Sequence, residues 1–138
     1  MEHKNMTYSQ YGPTILRIFL GLLFLVPGIF KITNPAGIIG MLGGLGFPLA
    51  TFFGWLVILS EIGFGLALLL GYKVKYTVWP LIVIMIVAIF SVTLPGFIKN
   101  PTSAGSLLFH LLAIGGLLSV YFTGPGKCAV NCKSCRKD

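Results

Sequence analysis

The chain has 138 residues, 56% hydrophobic and 9% charged, with ten Lys and Arg against three acidic residues, and a mean hydropathy of +0.93. A water-soluble domain carries about 25% charged residues to cover its surface, so this composition excludes a soluble globular fold, and the length leaves room for one domain. The formal charge of +7 comes from cations scattered between apolar runs, with no basic reading face and no aromatic platform among them. Nucleic acid is therefore excluded as a partner, and the cations are read as topology signals.

A hydrocarbon core about 30 Å thick requires roughly 20 apolar residues in a helix, and lipid leaves the backbone no hydrogen-bond partner but itself. Four stretches meet the requirement: 14–32, 49–70, 77–97 and 104–122. The first contains Pro27, where a kink is expected, and Lys31 and Asn34-Pro35 follow it rather than a small-residue cleavage site, so it is read as a retained span. Residues 34–48 are apolar, uncharged and rich in glycine. They are expected to lie in the outer interface or to cover the bundle mouth, with a re-entrant loop as the alternative. In the third stretch Pro80 is expected in the first helical turn.

Pro27-Gly28-Ile29-Phe30-Lys31 before Asn34-Pro35 is echoed by Pro95-Gly96-Phe97-Ile98-Lys99-Asn100-Pro101. The echo fits either a duplication of two-helix halves or shared helix-exit chemistry. Cations set the orientation. Lys4, Lys73, Lys75, Lys127, Lys133, Arg136 and Lys137 fall on one face, Lys31 and Lys99 on the other. The positive-inside rule then puts both termini in the cytoplasm. The expected fold is an all-α, integral-membrane four-helix bundle, with a transmembrane domain over 1–126 and a cytoplasmic Cys/Lys-rich tail over 127–138.

Ionisable residues within a span are costly and mark functional sites by default. Here they are Arg17, Glu61 and His110, each on a stripe of helical period: Arg17, Gly21, Phe24, Gly28 and Lys31; Gly54, Glu61, Gly65 and Leu68; Ser103, Ser106, His110, Ala113 and Leu117. Small residues let helices approach closely, so these stripes are expected to face the bundle interior. The third stretch supplies Ser91 and Thr93 at most. Arg17 is expected to reach towards Glu61, each compensating the other's burial, and the pair either serves a site or only fixes which helices meet. His110 is expected to relay a proton or to donate a hydrogen bond to a bound carbonyl such as that of a quinone. Lys31 reads as a helix-end anchor, with a substrate contact as the alternative.

All three cysteines lie in the tail as Cys128-x3-Cys132-x2-Cys135. The spacing suits three thiolates on an iron–sulfur cluster or a zinc ion. Alternatives are a Cys132/Cys135 redox pair, palmitoylation or a reduced tail without chemistry. With one histidine in the spans, the two-histidine cage of a b-type haem does not form within one chain. No glycine-rich nucleotide loop is present either.

Arg17-x3-Gly21-x6-Gly28-x2-Lys31, Leu45-Gly46-Phe47-Pro48, Glu61, Gly71 and Gly124-Pro125-Gly126 occur in an order and spacing that resembles the DoxX-like membrane proteins, over most of the chain. The resemblance implies a four-helix membrane bundle in which Arg17, Lys31 and Glu61 are the positions carried over. Relatives include small subunits of a thiosulfate:quinone oxidoreductase and partners of thiol-stress enzymes, while the cysteine tail departs from the usual ending. The expectation is a multi-pass cell-membrane subunit of an oxidoreductase system, with a partner subunit or a second copy. It would bind a quinone-like lipid beside Arg17, Lys31, Glu61 and His110. Alternatives are a proton-coupled transporter for hydrophobic substrates and an assembly or chaperone-like protein.

Overall fold

The computed structural model describes residues 11–126 and 129–130, without the side chain of Ser103. Among them the chain is helical throughout. The helices are α1 (Tyr11–Thr33), α2 (Pro35–Gly44), α3 (Ala50–Leu70), α4 (Val74–Ala88), α5 (Leu94–Lys99) and α6 (Ala104–Thr123). A π-helical turn, Ile89–Thr93, joins α4 to α5 so that Val74–Lys99 runs as one span, and a 3-10 turn, Pro101–Ser103, leads into α6. Four helices are thus long and apolar enough to cross a membrane. Their outward faces carry large apolar side chains such as Phe19, Phe30, Leu59, Phe90 and Leu112, as lipid solvation requires.

Local chemistry sets the breaks. Asn34-Pro35 ends α1 and starts α2, with Pro35 at a position where its missing N–H costs nothing. Gly71, at φ +74°, lets α3 close on itself: its amide donates to Leu68 C=O and the Tyr72 amide to Ala67 C=O. The third span begins at Val74, earlier than expected, because the left-handed Lys73 turns the chain directly into helix. Pro80 consequently sits in the second turn of α4 rather than at its N-terminus, a correction to the sequence reading. Residues 35–44 form a short helix, too short to span.

The spans form a ring. α1 packs on α3 and α6, and α4 packs on α3 and α6. The α1/α3 seam is the tightest, because glycines bring the backbones together in antiparallel register. A Cβ on Gly21 would stand 2.9 Å from Leu69 N, one on Gly65 3.0 Å from Leu25 N, and one on Gly28 2.8 Å from an Ile62 side-chain carbon. Without a hydrophobic driving force between helices in lipid, such close packing carries the association.

Packing is uneven along the ring's axis. The half nearer the α3–α4 turn is filled by Leu20, Phe24, Leu68, Val78, Leu81, Met85, Leu117 and Val120. Towards the other end the helices leave a partly open cavity, bordered on one side by α2.

Candidate functional site

The cavity has a volume of about 750 Å³. Leu23, Phe24, Pro27 and Phe30 of α1 line it, with Leu56 and Val57 of α3 and Ala88 and Val92 of the third span. Helix α2 adds Gly37, Ile38, Met41 and Leu42, and it is pinned by Ile39, which lies over Gly54. Residues 34–48 therefore border a void rather than lying only at an interface. Polar side chains are few: Lys31, Asn34, Glu61, Ser91, Thr93, Ser106 and His110. An apolar pocket with a small number of placed polar groups is the usual form of a small-molecule site.

Glu61 is 4% exposed on α3 and faces α1 at Gly28. Lys31, three residues on from Gly28 and on the same face of α1, donates through Nζ to Glu61 Oε1 at 2.5 Å and Oε2 at 2.7 Å. The pair is asymmetric: 33% of the Lys31 side chain is exposed against 6% for Glu61. An ammonium has three donors, so one N–H remains after the carboxylate has taken two.

This arrangement corrects the expected Arg17–Glu61 pair. The glycine register sets Glu61 level with Gly28, eleven residues along α1 from Arg17, and at 1.5 Å per residue the two lie roughly 16 Å apart along the axis. Arg17 is buried, 1% exposed, in the filled half of the bundle. Its guanidinium occupies the space beside Gly71 that any side chain at 71 would need. Ala129 covers the same spot, and the Val130 amide donates to Leu70 C=O at 3.1 Å. The chain beyond α6 thus returns to the α3–α4 turn and closes over Arg17. Lys31, read as an anchor, is instead the partner of the intramembrane carboxylate.

His110 sits on α6 at the cavity wall, partly buried, with its ring edge-on to Phe109. Its Nδ1 is 2.7 Å from the Ser106 carbonyl oxygen; a carbonyl only accepts, so Nδ1 carries a proton and Nε2 is the ring's other polar atom. Ser91 and Thr93, noted in the sequence as the third span's polar residues, also reach the cavity. The π turn that carries them was not anticipated; such turns often occur where function needs a departure from α-helix.

The interior stripes on α1 and α3 are buried as expected except at Lys31, which is partly buried, and on α6 Ala113 and Leu117 are buried whereas Ser106 is exposed. The structure brings together Lys31, Glu61 and His110 around one cavity and separates Arg17 from them. Lys99, the counterpart of Lys31 in the repeated motif, is exposed at the end of α5, so the two lysines do not share a role. Cys128, Cys132 and Cys135 lie outside the described residues. Among the described residues no cluster of metal-ligating side chains occurs.

No solved structure gives a significant match to the chain. Among curated proteins, the inner membrane protein YqjF of Escherichia coli (strain K12) is 34% identical over 128 residues, covering 89% of this chain and 92% of that protein. Four apolar spans and that inner-membrane relative make the chain a multi-pass protein of the cell membrane. The DoxX profile matches residues 12–94, from the start of α1 through the π turn, and this chain belongs to the DoxX family.

Proposed function

We propose that this protein is a small membrane subunit of an oxidoreductase system and that its cavity holds a quinone-like lipid. One observation carries the reading: a cavity of about 750 Å³, apolar on most of its surface, has the Lys31–Glu61 pair set in its wall. An ammonium fixed by a carboxylate costs no reorganisation when a carbonyl arrives. Lys31 would donate its remaining N–H to a ring carbonyl, Glu61 would hold that ammonium in place, and the surrounding aliphatic and aromatic side chains would exclude water. A quinone, when bound, supplies two-electron, two-proton redox chemistry.

The remaining assignments follow from the same reading. Both termini are cytoplasmic. Arg17 is a positioning residue at the closed end of the bundle rather than a ligand contact. The cysteines of the tail, Cys128, Cys132 and Cys135, provide the cytoplasmic contact for a metal, a cluster or a redox partner. Transport of a hydrophobic cation, the competing reading, is less well served, since a cation would have to displace Lys31 from Glu61.

The test is organic extraction of protein purified from its native membrane in mild detergent, followed by mass spectrometry. The expected result is a lipophilic quinone approaching one per chain, depleted in Lys31→Met. Extracts holding only bulk phospholipid, identical in the variant, would overturn the proposal.

A further inference from the structure

The polar groups of the cavity fall into two sets. Lys31 and Glu61 stand on α1 and α3; Ser91, Thr93 and His110 stand on the third span and α6. In the ring of spans the α1/α3 side lies across from the α4/α6 side, so the two sets face each other over the apolar space. The first set is internally paired. The second holds an unmet hydroxyl.

Thr93 is 5% exposed, lines the cavity, and makes no hydrogen bond to another described residue. Thr33, Thr77 and Thr123 behave differently: each donates to a backbone carbonyl of its own local segment, the common solution for a hydroxyl in a helix. Thr93 ends the π turn, where the helical ladder shifts so that the amide of Leu94 donates to the Ile89 carbonyl. The π turn also packs against α6, which carries His110. With Nδ1–H donated to the Ser106 carbonyl, Nε2 of an uncharged imidazole is a lone-pair acceptor. One wall of the cavity therefore presents a free hydroxyl donor together with a free acceptor.

A carbonyl oxygen satisfies only half of that wall, because it accepts from Thr93 and gives nothing to His110. A phenolic hydroxyl satisfies both, accepting from Thr93 Oγ1 and donating to His110 Nε2. We infer that Thr93 and His110 form a second polar subsite that takes a ring hydroxyl, so that the cavity holds the reduced, quinol form in preference to the quinone. This rests on the reading of the cavity as a quinone-type site, and it assigns binding residues and redox-form selectivity that the Lys31–Glu61 pair alone does not provide.

The test uses the full chain in lipid nanodiscs, titrated under argon with a decyl-tailed benzoquinone and separately with its quinol. Each added hydrogen bond contributes about 1 kcal/mol, so wild type should bind the quinol about fivefold to tenfold more tightly. His110→Phe should bring the ratio within about twofold while leaving quinone affinity intact, whereas Thr93→Val should weaken both forms by about fivefold and keep the ratio, and Thr93→Ser, which keeps the hydroxyl, should restore both affinities. Helical circular dichroism and the melting transition identify any variant that fails to fold. Equal wild-type affinity for both forms, a preference that survives His110→Phe, or affinities unmoved by Thr93→Val overturns the subsite and leaves the quinone reading standing. Failure of wild type to bind either form overturns both.

Discussion

Lys31→Met provides a direct measure of what holds Glu61 in the bundle. The substitution keeps the aliphatic stem and removes the ammonium, leaving a carboxylate whose side chain is 6% exposed with no compensating charge. Breaking a buried ion pair from one side costs about 3–5 kcal/mol. Because a third of the Lys31 side chain is exposed, the lower end applies, about 3 kcal/mol. Glu61→Gln should cost less, about 1–2 kcal/mol, since the freed lysine can extend to the interface. The double variant should be no worse than Lys31→Met alone, because it removes both charges, so the double-mutant cycle should give a coupling of about 1–3 kcal/mol. The assay is reversible unfolding in mixed detergent micelles, with denaturing detergent as titrant and helical circular dichroism as readout. A parallel cycle on Arg17→Met and Glu61→Gln should give a coupling within about 0.5 kcal/mol of zero, as for well-separated sites. Zero coupling between Lys31 and Glu61, or a large one between Arg17 and Glu61, would refute the pairing described above.

Other expectations follow from the same geometry. Gly71→Ala should destabilise by about 2–4 kcal/mol, because it forces a left-handed conformation and drives a methyl into the Arg17 guanidinium; a lower unfolding midpoint in mixed detergent micelles is the readout. Gly65→Val should cost about 2–3 kcal/mol by prying α1 from α3 at Leu25, and interhelical crosslinking between cysteines introduced on those two helices should fall. Ala88→Phe fills the cavity rather than the core. It should change stability by less than about 1 kcal/mol yet abolish retention of a lipophilic ligand in extraction assays. For the tail, protein purified anaerobically should carry iron or zinc that is lost when Cys128, Cys132 and Cys135 are all replaced by serine, as measured by elemental analysis.

Much of the bundle can be read from the sequence because lipid simplifies the problem. Runs of roughly 20 apolar residues have one solution, a helix, and charged or small residues at helical spacing mark the inward stripe. Arg17, Gly21, Phe24 and Gly28 on α1, and Glu61, Gly65 and Leu68 on α3, are buried as that logic requires. The stripe does not reveal how far one helix slides along its neighbour. The sliding is fixed by Gly21 meeting Leu69 and Gly65 meeting Leu25, and it decides that Glu61 meets Lys31 and not Arg17. The signal was present in the sequence, since Lys31 continues the glycine face by one turn, but helix-end lysines commonly extend to the interface.

Two further features were hidden for different reasons. The π turn at Ile89–Thr93 carries Ser91 and Thr93 within an otherwise apolar run, and two small polar residues do not by themselves announce a change of helix type. Helix α2 is built from glycines and aliphatic residues of weak amphipathicity; it holds because Ile39 finds the notch at Gly54 and Leu42 is buried, both tertiary effects.

The central claim, that the hollow half of this bundle receives a lipophilic ring beside Lys31 and Glu61, is tested most directly by photolabelling with an azido-benzoquinone in native membranes, followed by peptide mapping. Label concentrated on cavity residues such as Met41, Met85 and Phe109, and lost in Ala88→Phe, is the predicted outcome. Label spread over lipid-facing residues such as Phe19, Leu59 and Leu112, with no change in Ala88→Phe, would contradict it.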